Sequence, residues 1–292
     1  MGGATLTGFA AILAWAFLAL LTDLSGGVPP FQLLALTFSV GALPGLAAML
    51  IQPKRRQALC QSAHVWALGV GGLFGYHFCY FTALANAPAV DASLIAYLWP
   101  LLIVLGSALM PGERLAWHHV AGALLGLCGA ALIVTKGGAV SFEARYAFGY
   151  GMAGLCAVIW AAYSLLSRRN ASVPSDVVTG FCLTVSVLGL ACHLAFEETV
   201  WPTSAGQWLA VVLLGLVPLG LAFLAWDHGV KHGNIQALGG ASYAAPLLST
   251  LVLFAAGRAE LAWSTLFACL LITAGAVLAA KDLIFKVAQG GT

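Results

Sequence analysis

Hydropathy along the chain alternates between apolar runs of about 20 residues and short breaks rich in glycine, proline or charge. A helix needs about 20 mostly apolar residues to cross the hydrocarbon core of a membrane. The pattern therefore predicts ten membrane-spanning helices, here called spans one to ten. They are predicted at about 4–24, 30–51, 64–86, 89–110, 117–136, 148–168, 176–196, 206–229, 235–256 and 262–283.

Composition excludes the main alternatives to a helical membrane protein. The chain is 61% apolar and only 8% charged, whereas soluble domains carry about 25% charged residues. Disorder requires low hydrophobicity and high charge, and a membrane β-barrel would show short alternating strands. The sequence predicts an all-α, polytopic integral membrane protein. The cysteines form no Cys-x-x-Cys pair, so neither a metal site, a disulfide nor a cofactor is predicted.

The basic residues predict the orientation in the membrane. With the N-terminus inside, nine Lys and Arg residues fall on inner segments and three on outer loops. Positive charge concentrates on the cytoplasmic side of membrane proteins. An odd number of spans would strand Lys281 and Lys286 outside. We therefore expect both termini in the cytoplasm.

The two halves of the chain resemble each other. Tyr97–Leu102 matches Tyr243–Leu248 at an offset of about 146, and Trp15 matches Trp160 at an offset one residue shorter. Chance matches are common in biased composition, but shared Trp and Tyr-x-x-Pro positions in the same order are harder to dismiss. The sequence predicts an internal duplication.

Each predicted half, 1–140 and 141–292, contains five spans. Because five is odd, the second half must be inverted relative to the first, and the two together form one structural unit around a central cavity. Inverted repeats are typical of secondary transporters, whose substrate site lies where the repeats meet. This arrangement favours transport by alternating access.

Several motifs resemble the drug/metabolite transporter superfamily in its ten-span, EamA-type branch. They are the Gly112–Leu115 turn before span five, its weaker echo at Ala259–Leu261, and the prolines Pro100 and Pro246 in spans four and nine. The resemblance covers essentially the whole chain. It implies a basket of ten helices around a cavity, and the export of amino acids or related metabolites.

A closer resemblance is to the YddG-type aromatic amino-acid exporters within that branch. It depends on few positions: Tyr76–Tyr80, Tyr97–Pro100 and Trp160. It implies that an aromatic amino acid, or another neutral amino acid, is the cargo exported from the cytoplasm. Composition and spacing alone do not indicate the substrate.

Three tryptophans, Trp15, Trp99 and Trp160, lie near the centres of their spans. A buried indole N–H without a partner costs about 1–3 kcal/mol, so each needs a partner or a wet cavity. The repeat would relate Trp15 to Trp160 across the axis that passes through the expected site. We predict that all three line the substrate site; ordinary helix packing is the alternative.

Span three carries Tyr76, His77 and Tyr80 on one helix face. Two hydroxyls and an imidazole suit lipid poorly, so this face should point inward. The alternative is a satisfied hydrogen-bond cluster between helices. His77 and His193 are interpreted as mid-span histidines, and His77 is the best candidate for a proton relay. A neutral, hydrogen-bonding histidine explains the same observation.

Pro100 and Pro246 occupy equivalent places in the two halves. Each should free one helical carbonyl, that of Ala96 or Ser242. Broken helices of this kind form the substrate sites of transporters, although simple kinks would leave the same trace. The residues around the breaks are further candidates for the site: Tyr97, Trp99, Ser242 and Tyr243.

An aromatic amino acid would offer a flat ring and a zwitterionic head to these residues. Aromatic side chains stack on the ring, and we expect Ser242, His77, a tyrosine hydroxyl and freed carbonyls to bind the head. Asp227, His228 and Asp91 lie near span ends, which favours a role in capping or gating.

Other functions find less support. A proton-driven drug exporter of the same superfamily would carry a glutamate in the first span, where residues 4–22 hold no acid. An integral-membrane enzyme would show HExxH, DxxxD or paired carboxylates inside a span, and none occurs, so no catalytic residue is predicted. The expected partners are a small-molecule amino acid and the lipid bilayer, without nucleic acid. Gly122 and Gly126 suit close helix packing, within one protomer or between two.

Overall fold

The computed structural model describes residues 2–138, 142–260, 263–279 and 281. Every regular element in these residues is helical, which confirms the predicted all-α class. Nine helices in this part of the chain are long and apolar enough to cross a membrane, and a shorter apolar helix follows. The predicted boundary at 140, the end of span ten at 283 and Lys286 lie outside the described residues.

The helices agree closely with the predicted spans. Span eight differs because it continues to His232 rather than ending near 229. In chain order the spans are Gly3–Leu24, Pro30–Ile51, Ala63–Asn86, Ala89–Leu109, Trp117–Val134, Ala144–Arg169, Ser175–Phe196, Ala205–His232, Ile235–Ala255 and Trp263–Ala279.

Turn chemistry explains why the helices begin and end where they do. Pro30 occupies the first turn of span two, where its missing N–H costs nothing because that group has no helical partner. Before span five, Gly112 adopts a φ of 80°, a left-handed conformation that favours glycine. The Gly112–Leu115 motif is therefore a turn that places Glu113 beside the end of the bundle.

Three spans are broken near their middles. Span four divides into Ala89–Ala96 and Trp99–Gly106, and span nine into Ile235–Ala241 and Ala244–Ala255. Span one is also broken, after Trp15, which the sequence analysis did not predict because no proline marks the position. Its repeat counterpart, span six, continues without a break, so the halves are not perfectly symmetric.

The main contacts made by spans in the first half of the chain are repeated by the corresponding spans of the second half. Span three packs on six as span eight packs on one, and span two packs on eight as span seven packs on three. Spans two and seven, and five and ten, pair with their own counterparts. The pairing is thus unchanged when each span is replaced by the one five places along the chain, as an axis between inverted halves would require.

Glycines allow the closest helix contacts. A Cβ on Gly122 would lie 2.5 Å from the carbonyl oxygen of Gly275, and one on Gly220 would lie 2.5 Å from that of Gly41. A Cβ on Gly126 would meet the ring of Tyr243. The small-residue pattern in span five therefore packs against spans nine and ten of the same protomer.

The two ends of the bundle differ in charge. One end, called the basic end, brings together Arg168, Arg169 and Lys231. The opposite end holds the ion pair between Arg258 and Asp23, and Glu197, which accepts the amide hydrogens at the start of span two. The pair of Asp23 and Arg258 joins the end of span one to the turn after span nine, and the pair of Arg55 and Asp176 joins the turn after span two to the start of span seven.

Candidate functional site

The centre of the bundle is filled by five packed aromatic side chains, called the central cluster: Trp15, Trp99, Trp160, Phe223 and Trp226. The Trp15 ring centroid lies 6.3 Å from that of Trp99, 5.9 Å from Trp160 and 5.1 Å from Trp226. The predicted tryptophans thus meet at one place, contributed by spans one, four and six. Between 3% and 8% of each of the three is exposed, so they contact one another across the site.

The indole N–H groups of the central cluster fall into two classes. Trp15 Nε1 donates to the Pro218 carbonyl at 3.0 Å, and Trp226 Nε1 donates to Ser164 Oγ at 3.1 Å. In the part of the chain that the structure describes, Trp99 and Trp160 show no such bond. Trp15 and Trp226 therefore hold the cluster in place, whereas the other two indoles keep a donor for a ligand.

The partner of Trp15 lies in an unusual segment of span eight. Residues Gly215–Leu221 form a π-helix with Pro218 inside it. A proline cannot donate the helical hydrogen bond, and π-helical turns often occur at functional sites. The Trp15 indole donates to the carbonyl of Pro218 itself, which ties span one to this segment of span eight.

Span three borders the central cluster with its aromatic face. Tyr76 lies 5.3 Å from Trp160 between ring centroids and is nearly parallel to Tyr80. The Tyr80 hydroxyl and Ser93 Oγ of span four are 3.2 Å apart. Tyr76, His77 and Tyr80 are only half-buried. The predicted inward face therefore borders the closed cluster and brings two hydroxyls and an imidazole beside it.

His77 is engaged with backbone and aromatic rings. Its Nδ1 donates to the Leu73 carbonyl at 2.7 Å, which leaves Nε2 as the second polar atom. The ring packs edge-on against Phe38, at 5.2 Å between centroids. His193, by contrast, is not a mid-span residue. It lies in the last turn of span seven, where Nδ1 contacts Glu197 at 3.0 Å.

The breaks in spans four and nine contact each other through Tyr243. Its hydroxyl accepts a hydrogen bond at 3.1 Å from the amide of Leu101, in the first turn of the second half of span four. The Tyr243 ring is fully buried against Val104 and span five, away from the central cluster. Pro100 is buried in that same first turn. Tyr243 and Pro100 thus shape the breaks, while Tyr97 is half-buried at the break itself.

The predicted release of the Ser242 carbonyl is wrong. That oxygen accepts the amide hydrogen of Ala245 at 3.1 Å, because the chain tightens into a turn before Pro246. The Ser242 hydroxyl is fully buried and donates to the Leu238 carbonyl at 2.7 Å. In this conformation Ser242 is satisfied within its own helix.

Phe223 and Trp226 are members of the cluster that the sequence analysis missed. Both lie in span eight, and Trp226 is fully buried. The repeat offset of about 146 relates them to His77 and Tyr80 of span three. The offset therefore points to both residues from span three. They were missed because the paired residues differ in type, and only identical types mark a repeat in the sequence.

The basic end is closed by a polar network beneath the cluster. Arg168 forms an ion pair with Glu113 and donates to the carbonyls of Val230 and Gly233 at 2.9 and 2.7 Å. The second carboxylate oxygen of Glu113 accepts from Gln236 at 2.9 Å. This one network joins span six, the turn before span five, and the turn between spans eight and nine.

A second ion pair lies deeper at the same end. Lys231 Nζ is 2.7 Å from Asp227 and donates to the Val173 carbonyl at 3.0 Å. Asp227 is 1% exposed. Within the described residues, no group of three or more His, Cys, Asp or Glu side chains is arranged to hold a metal ion.

Comparison with known proteins gives a consistent set of relatives. The family model described as the EamA-like transporter family matches residues 3–135 and again 147–281. The aromatic amino acid exporter YddG of Ancylobacter novellus is 53% identical over 94% of this chain and 96% of its own length. A solved crystal structure superposes with a TM-score of 0.90 at 52% identity, covering 94% of this chain and 96% of that one.

More distant relatives are also exporters. The aromatic amino acid exporter YddG of Escherichia coli is 26% identical over 94% of this chain and 96% of its own. The probable terminal-alkyne amino-acid exporter of Streptantibioticus cattleyicolor is 27% identical over 83% of this chain and 82% of its own.

Proposed function

The chain belongs to the EamA-like transporter family, and on that premise we propose that it exports aromatic amino acids across the bacterial inner membrane by alternating access. Membership confirms the resemblance noted in the sequence. Three relatives that cover most of this chain carry the name aromatic amino acid exporter, and the first of them is 53% identical. We further propose that the protein acts as a transporter and not as an enzyme.

The central cluster is the observation that carries this proposal. An aromatic cargo that separates Trp99 from Trp160 would exchange ring contacts at centroid distances near 6.2 Å for contacts with its own ring. Good aromatic pairs contribute about 0.5–1.5 kcal/mol each beyond burial. Because contacts are exchanged rather than added, net binding stays weak, which suits release on the far side.

Polar atoms near the cluster suit the zwitterionic head. The free indole donors of Trp99 and Trp160 can bind a carboxylate, while the hydroxyls of Tyr76 and Tyr80 and Nε2 of His77 lie along the adjacent face. Oxygen acceptors and π-faces bind an ammonium group. Seven of the residues predicted from sequence remain our proposed binding site, to which we add Phe223 and Trp226: Trp15, Tyr76, His77, Tyr80, Tyr97, Trp99 and Trp160. Pro100, Ser242 and Tyr243 are instead proposed to shape the broken spans beside it.

The orientation of the proposed cycle follows from charge. Lys54, Arg55, Arg56, Arg168 and Lys231 lie at the basic end, so we place this end and both termini in the cytoplasm. The network around Arg168 then closes the cytoplasmic side. The half-buried face of span three would be reached from the periplasm, and the state would be one that has released its cargo outward.

Flux through purified protein in liposomes tests this function. Labelled Trp and Phe should exchange across the membrane, and Thr and Lys should do so more slowly, with and without a pH gradient. Absence of any amino-acid flux would overturn the proposal. If the flux is the same with and without the pH gradient, His77 does not act as the proton relay considered above.

Two variants test the site. Trp99→Ala and Tyr80→Ala should each reduce Phe flux at least about tenfold, because each removes an aromatic contact together with a polar group. Both should remain monodisperse in detergent. Trp201→Ala is the matched control, since Trp201 is 56% exposed near the start of span eight and stacks on Trp208, outside the central cluster. Full flux in both site variants would show that the cluster serves packing alone.

A further inference from the structure

We propose that Arg168 binds the carboxylate of the cargo at the basic end, and that the cargo opens this end by displacing Glu113 from it. The inference rests on the proposed function. It adds a loading site, some distance from the central cluster, for an amphipathic molecule with a carboxylate.

A cleft at the basic end provides the space. It has a volume of about 370 Å³ and is lined by Met110, Pro111, Arg168, Arg169 and Lys231. Three of these five side chains are cationic, and no acidic residue is among them. The other two are apolar and lie beside the charges. A lining of this kind fits a small molecule with one anionic group and an apolar body.

Arg168 is the member of the lining that closure depends on. Its guanidinium holds Glu113 on one side and the carbonyls of Val230 and Gly233 on the other. Its side chain is 23% exposed and that of Glu113 is 15% exposed, so solvent and solutes reach the pair. Arg168, which lines the cleft, can therefore be approached from it while it holds Glu113.

We expect the cargo carboxylate to replace Glu113 on Arg168 rather than to bind beside it. A guanidinium donates charge-assisted hydrogen bonds to a carboxylate, and a cargo carboxylate can take the place of the one Glu113 oxygen, Oε1, that accepts from Arg168 Nη2. Displaced Glu113 would keep its hydrogen bond to Gln236 at 2.9 Å, so its charge would not be left without a partner. Loss of the ion pair would free span six from the turn that precedes span five.

Other charges at this end are less suited to the role. Lys231 is 6% exposed and is held by Asp227 and the Val173 carbonyl. Arg169 donates to the Leu109 carbonyl at 3.2 Å and has no carboxylate to exchange within the described residues. Of the three cations that line the cleft, Arg168 is the one whose carboxylate partner lies on a separate turn and is partly exposed.

Competition in inverted membrane vesicles tests the proposal, because their basic end would face the medium. The probes are labelled phenylalanine as cargo, with unlabelled 3-phenylpropionate, which carries only a carboxylate, and phenylalaninamide, which carries only an ammonium. In the wild type, 3-phenylpropionate should inhibit uptake at a concentration about tenfold lower than phenylalaninamide. Arg168→Gln should abolish that difference. In right-side-out vesicles Arg168→Gln should leave the ranking of the two inhibitors unchanged.

Glu113→Gln provides a second variant if Arg168→Gln does not fold. Removing the charged competitor should lower the half-saturation concentration of phenylalanine at the basic end about threefold or more, with Gln236 still hydrogen bonded. Arg55→Gln is the matched control for Arg168→Gln. It removes the same charge and breaks the ion pair with Asp176 at the same end, but Arg55 does not line the cleft.

Each outcome separates the hypotheses. No phenylalanine uptake by the wild type would overturn the proposed function. Uptake with equal inhibition by both compounds, or with Arg168→Gln and Arg55→Gln behaving alike, would overturn the loading site alone. A third outcome would assign Arg168 to lipid phosphate instead. In reconstituted liposomes, the half-saturation concentration of phenylalanine would then depend on the fraction of phosphatidylglycerol and would not respond to 3-phenylpropionate.

Discussion

Replacing Trp15 by Phe should destabilise the protein more than replacing Trp160 by Phe, although both changes put a phenyl ring in place of an indole in the same cluster. Trp15 Nε1 donates to the Pro218 carbonyl at 3.0 Å, and a phenyl ring cannot. The buried carbonyl would lose this hydrogen bond, which costs about 1–3 kcal/mol. Truncation of the ring adds a cavity term to both variants.

The difference between the two variants isolates the hydrogen bond. In the described part of the chain Trp160 shows no bond from Nε1, and 3% of Trp160 is exposed, against 8% of Trp15. Burial alone would therefore make Trp160→Phe the more costly change. We expect the opposite order, with Trp15→Phe costing about 1–3 kcal/mol more.

Thermal inactivation in detergent provides the measurement. The fraction of monodisperse protein after heating gives a midpoint for each variant, and about 1 kcal/mol corresponds to a shift of roughly 2–4 °C in domains of 150–250 residues. Trp15→Phe should fall several degrees below Trp160→Phe. Equal midpoints, or a lower midpoint for Trp160→Phe, would refute the role assigned to the Pro218 carbonyl.

Two further predictions concern the packing that holds the broken spans. Tyr243→Phe should cost about 1–3 kcal/mol in the same assay, because the Leu101 amide loses its acceptor; an unchanged midpoint would mean that water replaces the hydroxyl. Gly220→Ala should abolish the monodisperse protein, since its Cβ would lie 2.5 Å from the Gly41 carbonyl oxygen. Gly71→Ala, where no atom lies within 4 Å of the new Cβ, should leave stability unchanged or raise it by about 0.5–1 kcal/mol, and equal loss in both variants would contradict the steric argument.

The outcome for the candidate site differs from residue to residue. Trp15, Trp99 and Trp160 were found from their depth in the spans, and they meet in one cluster. Tyr243 was chosen because it flanks a proline, yet its ring points toward span five. Depth along a helix follows from counting residues, whereas the direction of a side chain at a break depends on local turns.

The spans, most of their limits and the charge difference between the two ends were determined by the sequence alone. These properties follow from local hydropathy, since each span must satisfy its own backbone hydrogen bonds in lipid. The same holds for the internal repeat, because it consists of matching residues at a constant offset along the chain.

Contacts between distant segments were decided only by the tertiary structure. The π-helix around Pro218, its bond to Trp15, and the pair of Arg168 with Glu113 join residues 203 and 55 positions apart. Gly122 could have packed within one protomer or between two until Gly275 was found against it. A one-dimensional pattern ranks residues by depth and polarity, but it carries no information on which partner the fold brings within hydrogen-bonding distance.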